Sequence, residues 1–215
     1  MGKATAAATV KKAKTAMVDS QIGAVQRCPS ALLEAEERLK KHRKNIEAHR
    51  KKYADKKATA IRGHRKKRVV GAAQAKMTEA EGEAAATDYM AQHHPEYELV
   101  AGFAPGTGFD QVYVRRDAAE KIVEYLIVEA KGPNATLSTE SAKGAQMTKE
   151  WVKNSALELA ASDDPYAKRL GQNVYDAIMD GPPPQVRGKV LAVPERGKAA
   201  EEIPCPPPKR GKYNE

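Results

Sequence analysis

Asp110 and the pair Glu129-x-Lys131 are the residues best placed to do chemistry, because both carboxylates interrupt runs that otherwise ask for burial. Asp110 opens Gly108-Phe109-Asp110-Gln111-Val112-Tyr113-Val114, and Glu129 and Lys131 close Tyr125-Leu126-Ile127-Val128-Glu129-Ala130-Lys131-Gly132. A carboxylate among apolar, β-branched neighbours is costly unless it is paired or holds a cation. Side chains two apart on a strand share a face, so Ile127, Glu129 and Lys131 project together. If the polar connection 115–121 makes a hairpin of the two runs, Asp110 comes close to Glu129. Two carboxylates and one ammonium on a small patch describe a divalent-metal site with a lysine beside it.

The elements that must position this patch can be read on either side of it. Residues 1–30, rich in Ala, Lys and Thr, have no sustained hydrophobic period and are expected to form a tail. A long helix is predicted from Ala31, with Ser30 as cap and Glu34 as capping-box partner. On it Leu32, Leu39, Ile46 and Tyr53 recur at seven-residue steps and make a seam one residue wide, suited to lying against another surface. Gly63 and Gly71 mark expected breaks. A second helix is predicted over 78–92, with Glu79, Glu81 and Glu83 in its first turns, where acids complement the helix dipole, and Ala85, Ala86, Tyr89 and Met90 on its buried face. His93-His94 reads as the helix end before Pro95. A first strand over 97–103 and a Pro105–Gly108 turn lead into the two strands of the patch. Then follow a polar loop (132–144), helices over 146–160 and 163–180, a stop at Pro182-Pro183-Pro184, a strand over 186–193 and a proline-rich end. Trp151 is read as core. This order predicts an α/β fold with a small mixed sheet flanked by helices.

Composition narrows the class. The chain has 215 residues, 5% aromatic and 30% charged, enough for one medium domain with an appendage. Cys28 and Cys205 stand far apart without CxxC or His-Cys spacing, which points to neither a zinc site nor a disulfide framework. No N-terminal apolar stretch is long enough for a signal peptide core or a membrane span, so the expectation is a soluble protein made in the cytoplasm. Arg38 to Arg68 holds fifteen Lys or Arg against Glu47 and Asp55, a net of +13 that leaves −4 for the rest of a chain whose total is +9. So concentrated a positive block is the footprint of a polyanion binder, although a merely solvated helix has the same composition. Its candidate nucleic-acid contacts are Lys40, Lys41, Arg43, Lys44, Arg50, Lys51, Lys52, Arg65, Lys66, Lys67 and Arg68.

Four stretches in order carry a resemblance: Gly82-Glu83-Ala84-Ala85-Ala86, Gly108-Phe109-Asp110-Gln111-Val112-Tyr113, Val128-Glu129-Ala130-Lys131-Gly132 and Gln146-Met147-Thr148-Lys149-Glu150-Trp151. Over about residues 78–160 the chain resembles the PD-(D/E)xK nuclease superfamily, and more closely the toxin nucleases of bacterial polymorphic and type VI secretion systems. It departs in one place, where Asp110 follows Phe109 rather than proline. The resemblance implies a restriction-endonuclease-like core with a basic N-terminal helical arm, divided as a tail (1–30), the arm (31–75), the nuclease domain (76–195) and a Pro-rich tail (196–215). It implies catalytic roles for Glu83, Asp110, Glu129, Lys131 and Gln146. Asp110, Glu129, the Ala130 carbonyl and Glu83 would hold Mg²⁺ or Mn²⁺, Lys131 would orient or deprotonate the attacking water, and Gln146 would contact Lys131 or the scissile phosphate. The implied activity is a Mg²⁺-dependent DNase. It would be delivered without a signal peptide, with a secretion-system protein as its candidate carrier, into the cytoplasm of a rival cell, and neutralised in the producer by an immunity protein. Two other readings stand beside it: a non-enzymatic, histone-like nucleic-acid binder, and a housekeeping repair or restriction nuclease of the same fold.

Overall fold

The computed structural model describes residues 29–64, 66–102 and 108–205. Helix α1 (Pro29–Arg62) and helix α2 (Lys67–His93) form a hairpin. The chain then makes β1 (Glu98–Gly102), β2 (Gln111–Arg116), β3 (Ile122–Lys131), α3 (Lys149–Ala160), α4 (Pro165–Asp180), β4 (Gln185–Ala192) and β5 (Glu201–Ile203).

Helix α1 spans Pro29–Arg62, so Ser30, which the sequence pattern places as its cap, falls within the helical range. Glu34 accordingly faces Arg38 one turn on, at 3.7 Å. Gly63 does end this helix, but Gly71 does not break the next: α2 starts at Lys67 and runs through it. A glycine inside a helix costs about 1 kcal/mol relative to alanine. The good helix formers around Gly71, and Ala73 buried at 5% exposure, outweigh that. As a result α2 has no acid in its first turn, and Glu79, Glu81 and Glu83 sit in mid-helix. The dipole explanation for them falls.

The seam of α1 lies against α2. Ile46 and Ala60 are buried, Leu39 packs on the core beneath α2, and antiparallel cross-links run from Arg43 to Asp88 (2.9 Å) and from Lys57 to Gln74 (2.6 Å). From Leu33 onward α1 therefore belongs to the same compact unit as the sheet.

The five strands form one mixed sheet in the order β1-β2-β3-β4-β5. β1, β2 and β3 make an antiparallel meander, closed between β2 and β3 by Asp117, whose carboxylate accepts from the Ala119 and Lys121 amides. β3 and β4 are parallel, with α3 and α4 supplying the long crossover that a parallel pair needs, and β5 adds an antiparallel edge beyond residue 195. β5 lies in what the sequence pattern presents as tail; three residues with two glutamates carry too little apolar signal to read as a strand.

β3 is the central strand, buried from Glu124 to Ala130. Helices cover it on both sides, so its apolar run is continuous rather than alternating. On one face Val112, Val114, Tyr125, Ile127 and Val190 meet Trp151, Val152 and Ala156 of α3 and Leu170, Val174 and Ala177 of α4. On the other, Leu99, Tyr113, Leu126, Val128 and Leu191 meet Ala86 and Met90 of α2. The predicted α/β fold with a mixed sheet between helices is the fold observed.

Helix α3 begins three residues later than the sequence suggests. Thr148 caps it by accepting from the Trp151 amide at 3.2 Å, which leaves Gln146 and Met147 in the segment before the helix, Met147 at φ 65°. Asp164 likewise caps α4 ahead of Pro165.

Candidate active site

Gln111 pairs with Val128 in the β2–β3 ladder, so one step outward along the register sets Asp110 against Glu129. Alternation puts Asp110 on the side of Val112, and Glu129 and Lys131 on the side of Ile127; Val112 and Ile127 are themselves cross-strand partners in one core cluster. Asp110, Glu129 and Lys131 thus continue one row of side chains at the end of the sheet where β2 starts and β3 finishes.

Local structure fixes each of them. Gly108 adopts φ +80°, which the turn before Asp110 requires and a side chain would strain. Phe109 is buried edge-on against Trp151, ring centres 5.9 Å apart, and Asp110 Oδ2 then accepts from the Ala130 amide at 2.8 Å. Glu129 Oε1 accepts from Lys131 Nζ and from Gln146 Nε2, each at 2.7 Å. Lys131 also donates to Gln146 Oε1 at 3.1 Å, and that oxygen takes the Ser138 amide at 2.8 Å. Gln146 thereby ties the loop before α3 to both members of the Glu-x-Lys pair.

Glu83 arrives from α2 on the other face. Its approach depends on two glycines: a Cβ on Gly82 would lie 2.5 Å from the Gly132 amide nitrogen, and one on Gly132 would lie 2.0 Å from the Thr78 carbonyl oxygen. Backbone meets backbone here, so α2 sits directly on the end of β3. Glu83 is 2% exposed, and its Oε2 accepts from Gln111 Nε2 at 2.7 Å.

The electrostatics are lopsided. Burial, then the charges of Glu129 and Glu79, raises the Glu83 carboxyl to about 7 against the pull of the Gln111 bond. Burial, then the charges of Glu129 and Glu83, raises Asp110 well above the ordinary carboxylate range, although the Ala130 amide and Lys131 act the other way. Three carboxylates repel one another across a site that offers a single ammonium. Such a cluster must take up protons or a cation. All its donors are oxygens, the kind that hard divalent cations select, so the residues present fit Mg²⁺ or Mn²⁺. Among the described residues no three His, Cys, Asp or Glu side chains are already gathered into a ligand sphere. Each carboxylate is instead held through one oxygen by its protein partner: Asp110 Oδ2 by Ala130, Glu129 Oε1 by Lys131 and Gln146, and Glu83 Oε2 by Gln111.

Ala130 lies between Glu129 and Lys131 with its amide used by Asp110. Of the basic residues, Lys40, Lys41, Arg43, Lys44, Arg50, Lys51 and Lys52 are exposed on α1, and Lys66, Lys67 and Arg68 where α2 begins; Arg65 is outside the described residues. Arg43 pairs with Asp88 and Arg50 with Glu47. His93 and His94 end α2, with His94 3.5 Å from Glu96 and 3.2 Å from Lys189 Nζ. Cys205 is a free thiol that packs near Gly188, and Cys28 is outside the described residues.

A buried polar chain escaped the sequence reading. Gln111, wholly buried, donates to Glu83 and accepts from the Tyr113 hydroxyl at 2.8 Å, while Thr87 bonds the Glu83 carbonyl and meets His42 Nε2 of α1 at 3.0 Å. Burial, helped by Arg43, lowers His42 to about 4, so it is neutral at pH 7. The available signal was Gln111 itself, an amide at an α2-facing position of an otherwise apolar strand. No described helix is long and apolar enough to cross a membrane. The chain matches no protein-family model, no curated protein and no solved structure.

Proposed function

We propose that the chain is a metal-dependent endonuclease of restriction-endonuclease-like architecture that hydrolyses phosphodiester bonds in DNA. One observation carries this reading: Asp110 and Glu129, from adjacent strands, continue one row beside Lys131, and Glu83 of α2 lies near enough for its charge and theirs to act on one another. A resident Mg²⁺ or Mn²⁺ would make bound water acidic and stabilise charge on the phosphate oxygens. Asp110 and Glu129 supply its main carboxylate ligands, with Glu83 and the Ala130 carbonyl completing the protein's contribution. Lys131, 13% exposed and pinned by Glu129 and Gln146, is aimed so that its ammonium can orient the attacking water and offset charge at phosphorus. Gln146 holds that lysine or reaches the phosphate itself.

The exposed cations of α1 supply sequence-independent attraction for the DNA backbone. The four-part resemblance supports the narrower proposal of an antibacterial toxin delivered into the target-cell cytoplasm and restrained by a cognate immunity protein. The same basic helix supports the rival reading, a DNA binder without catalysis. Plasmid cleavage with Mg²⁺, with and without EDTA, separates them. Metal-dependent cutting that disappears in Asp110→Ala and Lys131→Ala supports the nuclease; undiminished cutting by both variants, or retardation of DNA without cutting, ends it. Toxicity on expression in a bacterium, abolished by Glu129→Ala and rescued by a neighbouring reading frame, tests the toxin assignment.

A further inference from the structure

We infer that Gln111 is a positioning residue that holds Glu83 in the geometry the metal site needs, an inference that rests on the nuclease reading above. The side chain is 0% exposed and lies between β2 and α2. Its Nε2 is 2.7 Å from Glu83 Oε2, 2.9 Å from the Glu83 carbonyl oxygen and 3.1 Å from Thr87 Oγ1. Thr87 gives its own hydroxyl proton to the Glu83 carbonyl at 2.8 Å, so it faces Gln111 as an acceptor.

The orientation of the amide follows from chemistry. Reversing it would aim the amide oxygen at the Glu83 carbonyl and at a hydroxyl whose proton that carbonyl already takes, and would lose the bond to the ionised Glu83 carboxylate. On the opposite side the Tyr113 hydroxyl donates to Gln111 Oε1 at 2.8 Å, and this keeps the NH₂ turned toward Glu83. Gln111 therefore grips both the carboxylate of Glu83 and the helical backbone that carries it. It joins α2 to β2 beside Asp110, the residue before it in the chain. Groups of this kind, which orient a ligand without touching the ion, change metal affinity or activity by about 10–100-fold when removed.

The test uses the full chain as wild type, Glu83→Gln, Gln111→Met, Glu83→Gln/Gln111→Met and Tyr113→Phe. Calorimetric titration with Mn²⁺ is paired with plasmid cleavage, and circular dichroism checks folding. Methionine keeps the length of Gln111 and removes its donors. The expected result is Mn²⁺ affinity reduced about tenfold or more in Gln111→Met, no further loss in the double variant beyond Glu83→Gln alone, and a smaller loss in Tyr113→Phe. If Gln111→Met does not fold, Tyr113→Phe decides, since it leaves the amide in place and frees only its orientation; unchanged Mn²⁺ affinity in that variant then overturns the inference. A folded Gln111→Met with wild-type affinity, or losses that simply add in the double variant, also overturns it and leaves the nuclease reading standing. Wild type that neither binds Mn²⁺ nor cuts DNA sinks that reading, and the inference with it.

Discussion

β3 carries two buried glutamates, five residues apart, that the protein treats in opposite ways. At the end where the strand begins, Glu124 accepts from Arg115 at 2.8 Å and from the Tyr97 hydroxyl at 2.8 Å, with Arg187 at 3.5 Å. Burial works to raise its carboxyl, but these partners outweigh burial and hold it below the ordinary range. At the end where the strand finishes, Glu129 has one cation and two acidic neighbours, and those neighbours are driven upward. Both residues interrupt the same apolar run, so burial alone does not distinguish them. Compensation does. A carboxylate matched by its own cations is part of the scaffold, and a group of carboxylates short of cations is left with charge to neutralise.

The largest effect that could break this contrast is on cleavage. Asp110→Asn keeps an acceptor for the Ala130 amide yet removes a proposed metal ligand, and the proposed metal-dependent cutting should fall by roughly 10³-fold, within the range expected for loss of a metal ligand or catalytic group. In EDTA the same variant should melt no lower than wild type, because it relieves repulsion; a clear drop in Tm would mean that the charge is structural.

Next comes pH. An acid whose folded pKa is raised binds its proton more tightly folded than unfolded. Glu83, at about 7 against an ordinary 4.5, therefore stabilises the fold fully below about 4.5, and that stability is lost as pH rises through 7. The difference amounts to about 3 kcal/mol. Metal-free protein should lose Tm between about pH 5 and pH 8. Asp110 pushes in the same direction, Mn²⁺ should counter the loss, and Glu83→Gln should flatten the slope. A Tm that climbs with pH in this window would contradict the assignment.

Glu124→Gln sharpens the comparison from the other side. It breaks charge-assisted hydrogen bonds whose arginine partners are partly solvated, and should cost about 1–3 kcal/mol in urea unfolding while leaving cleavage per folded molecule unchanged. The smallest effect belongs to α1. Lys51→Ala and Lys52→Ala should each weaken DNA binding uniformly across sequences and reduce the slope of log affinity against log salt by about 0.9 if that lysine contacts a phosphate. Filter binding at several salt concentrations reads it.

The pairing of β2 with β3 was legible because two apolar runs flank a short polar turn and period-two alternation leaves one register that buries both. The patch followed from that register. Legibility failed where tertiary packing overrode local signals. Gly71 reads as a break until Ala73 is seen buried, and with α2 extended the acids at 79, 81 and 83 lose their dipole role while Glu83 becomes an interior residue. Gln146 reads as the start of a helix until Thr148 takes the cap, which frees it to reach Glu129 and Lys131. Gln111 had only its polarity to mark it, because the need for an amide there arises from a helix packed across the sheet. The basic helix was visible from charge, but its docking on α2 rests on residues as bland as His42, Ile46 and Ala60.

The contact of Gly82 with Gly132 has a consequence for anyone who would redesign this protein. Where a helix and a strand touch through atoms every residue possesses, no change of side chain can bring them closer, and even a methyl group forces them apart. Closing the site down around a smaller guest therefore has to be done from the α3 side, through the loop that bears Gln146, because the α2 side is already at its minimum spacing.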